Sequence, residues 1–292
     1  MELVYEMADQ HGRPRRRLVV GLWLILVVVA LVVSYTRWQA AGQIIDSQAL
    51  MWGLIVGGVA QIVDGALGMA YGVTASSFLL ATGSMPAVAT ASTHMAEIFT
   101  TGTSGLSHWR FGNIDRTLFR RLVVPGVIGA LVGVSLVTWI DGNVLKPWIG
   151  VYLAVMGIYL IIKALANIHY DVSSRWAVGV VGFVAAFVDT IGGGGWGPVA
   201  TSTLLGTGRE PKQVIGSVNA AEFFVTMVSG VSLAFIVNVQ AWETVVGLIF
   251  GGMAVSPLAA LLAGKLPKRL LMVAVGLLIV LLNYTHVMRV FV

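Results

Sequence analysis

Long apolar runs separated by short polar segments dominate the chain from residue 18 onward. A helix of about 20 apolar residues is long enough to cross the hydrocarbon core of a bilayer, which is roughly 30 Å thick. Such runs are expected to be helical, because a backbone in lipid must satisfy its own hydrogen bonds. The pattern predicts uninterrupted spans at 18–34, 87–107, 122–140, 148–166, 213–238, 243–263 and 270–288.

Two further apolar segments, 49–82 and 176–206, are each too long for one span and are interrupted by glycine. The first is interrupted around Gly68, and the second contains four consecutive glycines, 192–195, followed closely by Pro198. Such a sequence disfavours a continuous helix. Each segment is therefore predicted to be a broken helix or a re-entrant hairpin, and a pair of full spans stays an alternative.

The two interrupted segments are copies of one another, since a shift of 125 residues without a gap superimposes them. Asp64 then falls on Asp189 and Glu97 on Glu222, and 13 of the 34 positions between Asp64 and Glu97 are identical. Other coincident pairs are Gly68/Gly193, Gly72/Gly197, Ser77/Ser202 and Pro86/Pro211. The repeat divides the chain into a basic leader (1–17), an N-terminal span and loop (18–48), a first repeat (49–166) and a second repeat (176–288).

Basic residues lie mainly in the short segments between spans, and such segments are typically cytoplasmic. Four arginines between residues 13 and 17 place the N-terminus in the cytoplasm, and no small-residue cleavage site follows the first run. If each interrupted segment enters and leaves on one side, all basic loops become cytoplasmic and the copies run in opposite directions. We therefore expect an all-α polytopic protein of the cell inner membrane, with an extra N-terminal span and two inverted repeats. Each repeat would be a glycine-broken helical hairpin plus three transmembrane helices.

Composition agrees with a membrane protein and excludes several other classes. Only 11% of the residues are charged, against about 25% in a soluble domain. The net charge of +5 arises from loops, so no nucleic-acid partner is expected. The G-x-G-x-x-G pattern at 192–197 lies in a transmembrane context that a dinucleotide site does not have. We expect no enzyme activity and no cofactor; the partners are the lipid bilayer and a small anion, with a homo-oligomer left open.

The helix breaks are the candidate substrate site. Unpaired backbone amides at the start of a half-helix attract anions, and paired broken helices in inverted repeats point to a transporter site near the midplane. Small hydroxyls follow each break, although glycine, serine and threonine also permit close helix packing. The candidate substrate-binding residues are Gly68, Gly72, Ser76, Ser77, Gly193, Gly194, Gly197, Thr201, Ser202, His94 and Asn219.

Acidic residues within apolar segments are rare and usually functional. Here they form two symmetric pairs, and the candidate coupling or organising residues are Asp64, Glu97, Asp189 and Glu222. One role is proton coupling; the alternative is that the aspartates cap broken half-helices. His94 is a candidate titrating group or a packing residue. A metal site is not expected, because the second copy has Asn219 in place of the histidine.

The doubled pattern resembles the sulfite exporter TauE/SafE family of bacterial membrane permeases. The likeness covers about residues 50 to 288 and lies in the glycine-rich breaks, in the Gly-x-x-Pro spacings Gly83/Pro86 and Gly208/Pro211, and in the helices that follow. It implies a secondary transporter of sulfite or related organosulfur and carboxylate anions, usually exporting them. We therefore expect alternating access around a site between the two breaks. The alternatives are an anion channel and a membrane scaffold that transports nothing.

Overall fold

A computed structural model describes residues 46–166, 174–205, 209–237, 242–263 and 265–291. The predicted leader 1–17 and first span 18–34 lie outside these residues. Within them the chain forms ten α-helices and no β-strand. The helices are α1 Ser47–Leu67, α2 Tyr71–Ala81, α3 Pro86–Arg110, α4 Arg116–Trp139, α5 Gly142–Leu165, α6 Arg175–Gly192, α7 Ser202–Leu205, α8 Pro211–Ile236, α9 Trp242–Leu262 and α10 Lys268–Phe291, with a π-helical turn at Gly197–Thr201 before α7.

Six of these helices are long and apolar enough to cross a membrane. They are α1, α4, the Pro147–Leu165 part of α5, α8, α9 and the Arg269–Met288 part of α10. The predicted span 87–107 lies within α3. This helix of 25 residues contains many Ser, Thr and His, so its hydropathy alone does not identify it as a membrane span. The prediction of an all-helical, polytopic membrane protein is confirmed.

Both interrupted segments are broken helices, as predicted. The first break separates α1 from α2 and the second separates α6 from the π-helical turn. Each begins with a left-handed glycine, Gly68 at φ +71° and Gly193 at φ +68°, a common way to end a helix. The 11 residues of α2 rise about 16 Å, so this arm is too short to be a full span.

Helices that occupy equivalent places in the two copies pack against each other. Helix α3 packs on α8, and α5 packs on α10. Close approach is made at glycines: Gly105 lies against Ala220, and Gly230 lies against His94. As the residue number rises along α3 it therefore falls along α8, so these helices are antiparallel. We propose on this basis that the copies are inverted, because inversion places equivalent helices antiparallel across the membrane.

Candidate functional site

The two helix breaks contact each other directly in the centre of the described fold. The Thr201 hydroxyl donates a hydrogen bond to the Gly68 carbonyl, and the Ser76 hydroxyl donates one to the Gly193 carbonyl. Ser76 and Thr201 are equivalent in the repeat, as are Gly68 and Gly193. Each break therefore donates a hydroxyl hydrogen bond to the glycine carbonyl of the other break.

Glycine is required where the breaks meet, because the two backbones touch. A Cβ atom added at Gly72 would lie 2.8 Å from Glu97 Oε1 and 2.9 Å from Gly194 Cα. One added at Gly194 would collide with the backbone of Gly72 and Val73, and one at Gly197 with the backbone of Met69. Atoms so close would force the breaks apart, so the predicted glycines act first by permitting this contact.

The aspartates cap the half-helices that follow the breaks. Asp189 Oδ1 accepts hydrogen bonds from the backbone amides of Gly195 at 2.7 Å and Trp196 at 3.1 Å. Asp64 is bonded in the same way by the backbone amide of Tyr71, and Tyr71 is equivalent to Trp196. These bonds satisfy amides that a helix start leaves open, so at least one oxygen of each aspartate has a structural role.

Further carboxylate oxygens have no such partner. Within the described residues, Asp64 Oδ2, Asp189 Oδ2, Glu97 Oε1 and Glu222 Oε2 are buried and make no hydrogen bond. The four carboxyl groups lie near enough to interact electrostatically with one another. Buried unpaired oxygens of this kind are unfavourable unless a proton, a cation or a ligand occupies them in another state.

His94 lies beside two of these carboxyl groups. Its Nδ1 is 3.0 Å from Glu97 Oε2 and 3.8 Å from Asp189 Oδ2. The equivalent Asn219 donates through its side-chain amide to the Asp64 carbonyl at 3.4 Å. Each of these two residues thus reaches the aspartate of the other repeat, but only the histidine side chain can gain a charge.

The chemistry of this cluster suits a proton or a cation. Ligand atoms of His94, Glu97 and Asp189 all lie within 4.8 Å of one another, the one such group among the described residues. The spacing of His94 and Glu97 in the sequence could not reveal that Asp189 completes the set. Because Asn219 replaces the histidine in the second copy, a proton shared by the cluster fits both copies better than a metal ion does.

Not every predicted site residue faces the contact between the breaks. Ser77 accepts a hydrogen bond from Asn283 of α10 at 2.7 Å, and Ser202 pairs with the Tyr159 hydroxyl of α5 at 2.9 Å. These bonds hold α2 and α7 against the neighbouring helices. The two serines therefore lie away from the bonds that join the breaks.

Aromatic side chains enclose the second break. The Tyr152 hydroxyl donates to the Gly194 carbonyl at 2.6 Å, and Gly192 packs against the Tyr152 ring. Trp196 is fully buried and donates its indole N–H to the Val218 carbonyl at 3.2 Å, so it fills space in this state. The position of Tyr152 in the middle of an apolar span could have indicated a role at the site, because a buried tyrosine hydroxyl needs a hydrogen-bond partner.

These features place the chain in a class of membrane transporters, and comparison with known proteins agrees. The chain belongs to the sulfite exporter TauE/SafE family, whose model matches residues 53–284. A relative described as a probable membrane transporter protein, YtnM of Bacillus subtilis strain 168, is 40% identical over 240 residues, which is 78% of this chain and 79% of that protein. No solved structure matches the chain significantly. The chain is thus a multi-pass membrane transporter and not an enzyme.

Proposed function

We propose that the protein is a secondary transporter that exports a small anion, such as sulfite or a related organosulfur or carboxylate anion, by alternating access. The observation that carries this proposal is the reciprocal contact between two helix breaks beside four buried carboxyl groups. Parting of the breaks frees the hydroxyls of Ser76 and Thr201 and the half-helix starts for an anion. Rejoining closes the site from the other side.

Electrostatics favours binding of the anion to a form of the site whose carboxyl groups carry protons. No lysine or arginine is among the buried residues that the structure describes. Two negative charges about 5 Å apart repel by roughly 3 kcal/mol at an effective dielectric constant near 20, whereas a helix start attracts an anion by about 2 kcal/mol at most. With several carboxylates ionised, repulsion exceeds attraction. The anion therefore binds when the carboxyl groups are protonated.

The test is uptake of radiolabelled sulfite into proteoliposomes, with and without an imposed pH gradient. Wild type is compared with Gly194→Ala, whose methyl group would collide with the facing backbone, and with Gly58→Ala, whose methyl group would meet its nearest neighbour at 3.5 Å. We expect saturable flux that responds to the gradient, is lost in Gly194→Ala and is kept in Gly58→Ala. Monodisperse elution of both variants confirms that they fold.

Two other outcomes contradict the proposal. Flux that neither saturates nor responds to the gradient indicates an anion channel. Absence of flux with sulfite, with organic sulfonates and with carboxylates indicates a scaffold that transports nothing. Flux of a sulfonate or carboxylate without flux of sulfite changes the substrate and keeps the mechanism.

A further inference from the structure

Two apolar grooves flank α4 on the outer surface of the described fold. The first, of about 550 Å³, lies between α3, α4 and α8 and is lined by Phe119, Phe223 and Phe224. The second, of about 780 Å³, lies between α4 and α6 and is lined by Ile128 and Val180. Both grooves reach Arg120, so two apolar surfaces converge on one cationic side chain.

The end of α4 where the grooves converge is positively charged. Arg116 lines the first groove and Arg121 lines the second. Among the described residues, no carboxylate forms an ion pair with Arg116, Arg120 or Arg121; Asp115, which precedes them, pairs instead with Arg209 at 3.2 Å. Three cationic groups are therefore available to an anionic partner.

Tryptophans indicate the depth of this charged region in the membrane. Trp109 lines the first groove and is 61% exposed, and Trp176 lines the second and is 82% exposed. Exposed tryptophans of membrane proteins concentrate at the level of the lipid headgroups. The arginines at the end of α4 thus lie at headgroup depth, and the apolar grooves extend from them.

We propose that this end of α4 binds an anionic phospholipid, with its phosphate at Arg120 and its acyl chains in the two grooves. Apolar grooves that end in cationic groups at headgroup depth match a molecule with an anionic head and apolar tails. A second copy of this chain is a poorer occupant, because it would bring like charges together. The site is separate from the helix breaks, and its occupancy is measured without transport.

The experiment is native mass spectrometry of the full chain in detergent, titrated with phosphatidylglycerol or with phosphatidylcholine of the same acyl chains. A basic residue near the surface contributes about fivefold to binding of anionic lipid. We expect phosphatidylglycerol to bind about fivefold more tightly or better, and Arg120→Gln and Arg116→Gln to remove about that factor each. Lys212→Gln serves as the control, because Lys212 pairs with Glu210 at 2.8 Å and lies outside both grooves.

A second variant tests the grooves themselves. Val180→Trp adds bulk to the groove between α4 and α6, and we expect it to weaken binding of phosphatidylglycerol while the arginines stay in place. Equal binding of the two lipids, or no effect of Arg120→Gln, overturns the proposal. Displacement of the lipid by inorganic phosphate at millimolar concentration also overturns it, since the acyl chains would then contribute nothing.

Discussion

At the scale of residues, the two copies differ in a titratable group at His94 and Asn219, which occupy equivalent positions. Both are fully buried on helices that pack together. Only His94 lies within hydrogen-bond distance of a carboxylate, Glu97, and an imidazole can carry a proton that an amide cannot. From another helix, Asp189 faces His94 directly. Four further titratable groups lie near enough to interact electrostatically with Glu97 or Asp189: Asp64, Glu222, Tyr71 and Tyr152.

The first prediction concerns this difference. His94→Asn makes the first copy resemble the second, and we expect uptake driven by a pH gradient to fall roughly tenfold or more, because an amide cannot carry the proton that an imidazole can. Exchange of internal for external anion, which requires no net proton movement, should persist. Asn219→His is the matched control and should keep the response to the gradient. Loss of exchange in His94→Asn would contradict this assignment and make His94 a substrate ligand.

The second prediction concerns the charge of the buried carboxyl groups. In wild type, anion affinity should be highest at acidic pH and fall as pH rises, because ionised carboxylates repel the anion. Glu222→Gln keeps the shape and removes one ionisable group, so affinity should decline less steeply toward alkaline pH. At alkaline pH the variant should bind the anion roughly a hundredfold more tightly than wild type, the factor equivalent to removing about 3 kcal/mol of repulsion. Binding by isothermal titration at several pH values measures it, and parallel pH profiles of wild type and variant would count against it.

Part of the candidate site could be predicted from residue patterns in the sequence. Helix capping was one of two roles expected for Asp64 and Asp189. The hydrogen bonds that the backbone amides of Gly195 and Trp196 donate to Asp189 show such a cap. The reciprocal bonds of Ser76 and Thr201 were not foreseen, because they join residues 117 and 133 positions apart in the chain. A single sequence gives composition and spacing locally, but not which distant carbonyl a hydroxyl meets.

At the scale of elements, the breaks act as a pair that can join or part. Two hydrogen bonds, from Ser76 to Gly193 and from Thr201 to Gly68, cross between them. A typical hydrogen bond contributes about 1 kcal/mol net, so a pair of this kind suits an equilibrium that a ligand of modest affinity can shift. The joined state described here has its coordinating hydroxyls occupied by the opposite break.

The third prediction tests these bonds. Ser76→Ala combined with Thr201→Val should shift the breaks toward the parted state, by about fivefold for each bond lost. The chain contains no cysteine, so one cysteine introduced at Val73, which is buried and whose backbone lies against Gly194, reports parting through its rate of reaction with a thiol reagent. Ser135→Ala is the control, since the exposed Ser135 hydroxyl donates to the Leu131 carbonyl within its own helix. An unchanged labelling rate in the double variant would mean that the bonds do not hold the breaks together.

The elements themselves were largely predictable. Apolar length fixed the spans, and Pro86 and Pro211, which begin α3 and α8, suit the first turn of a helix. The pairing of helices was less accessible, because it depends on where glycines allow close approach. Gly57 and Gly182 are equivalent in the repeat and pack against Leu248 of α9 and Leu122 of α4, yet nothing near Gly57 in the sequence identifies α9 as its partner.

At the scale of the whole molecule, the proposed inversion gives alternating access a structural basis. Equivalent helices meet in antiparallel pairs at the centre, so exchanging the conformations of the two copies turns a site that opens on one side into one that opens on the other. Alternating access by this exchange requires the copies to have opposite orientations in the membrane.

The last prediction tests that orientation with one matched pair of positions. Met85 and Glu210 immediately precede α3 and α8, are equivalent in the repeat and are both exposed. If the copies are inverted, Met85→Cys should react from outside the cell with a membrane-impermeant thiol reagent. Glu210→Cys should react only after the membrane is permeabilised, because Arg209 and Lys212 assign that loop to the cytoplasm. The native chain gives no background, since it contains no cysteine. Reaction of both cysteines from the same side would show that the copies are parallel, and alternating access by exchange of repeat conformations would then have to be abandoned.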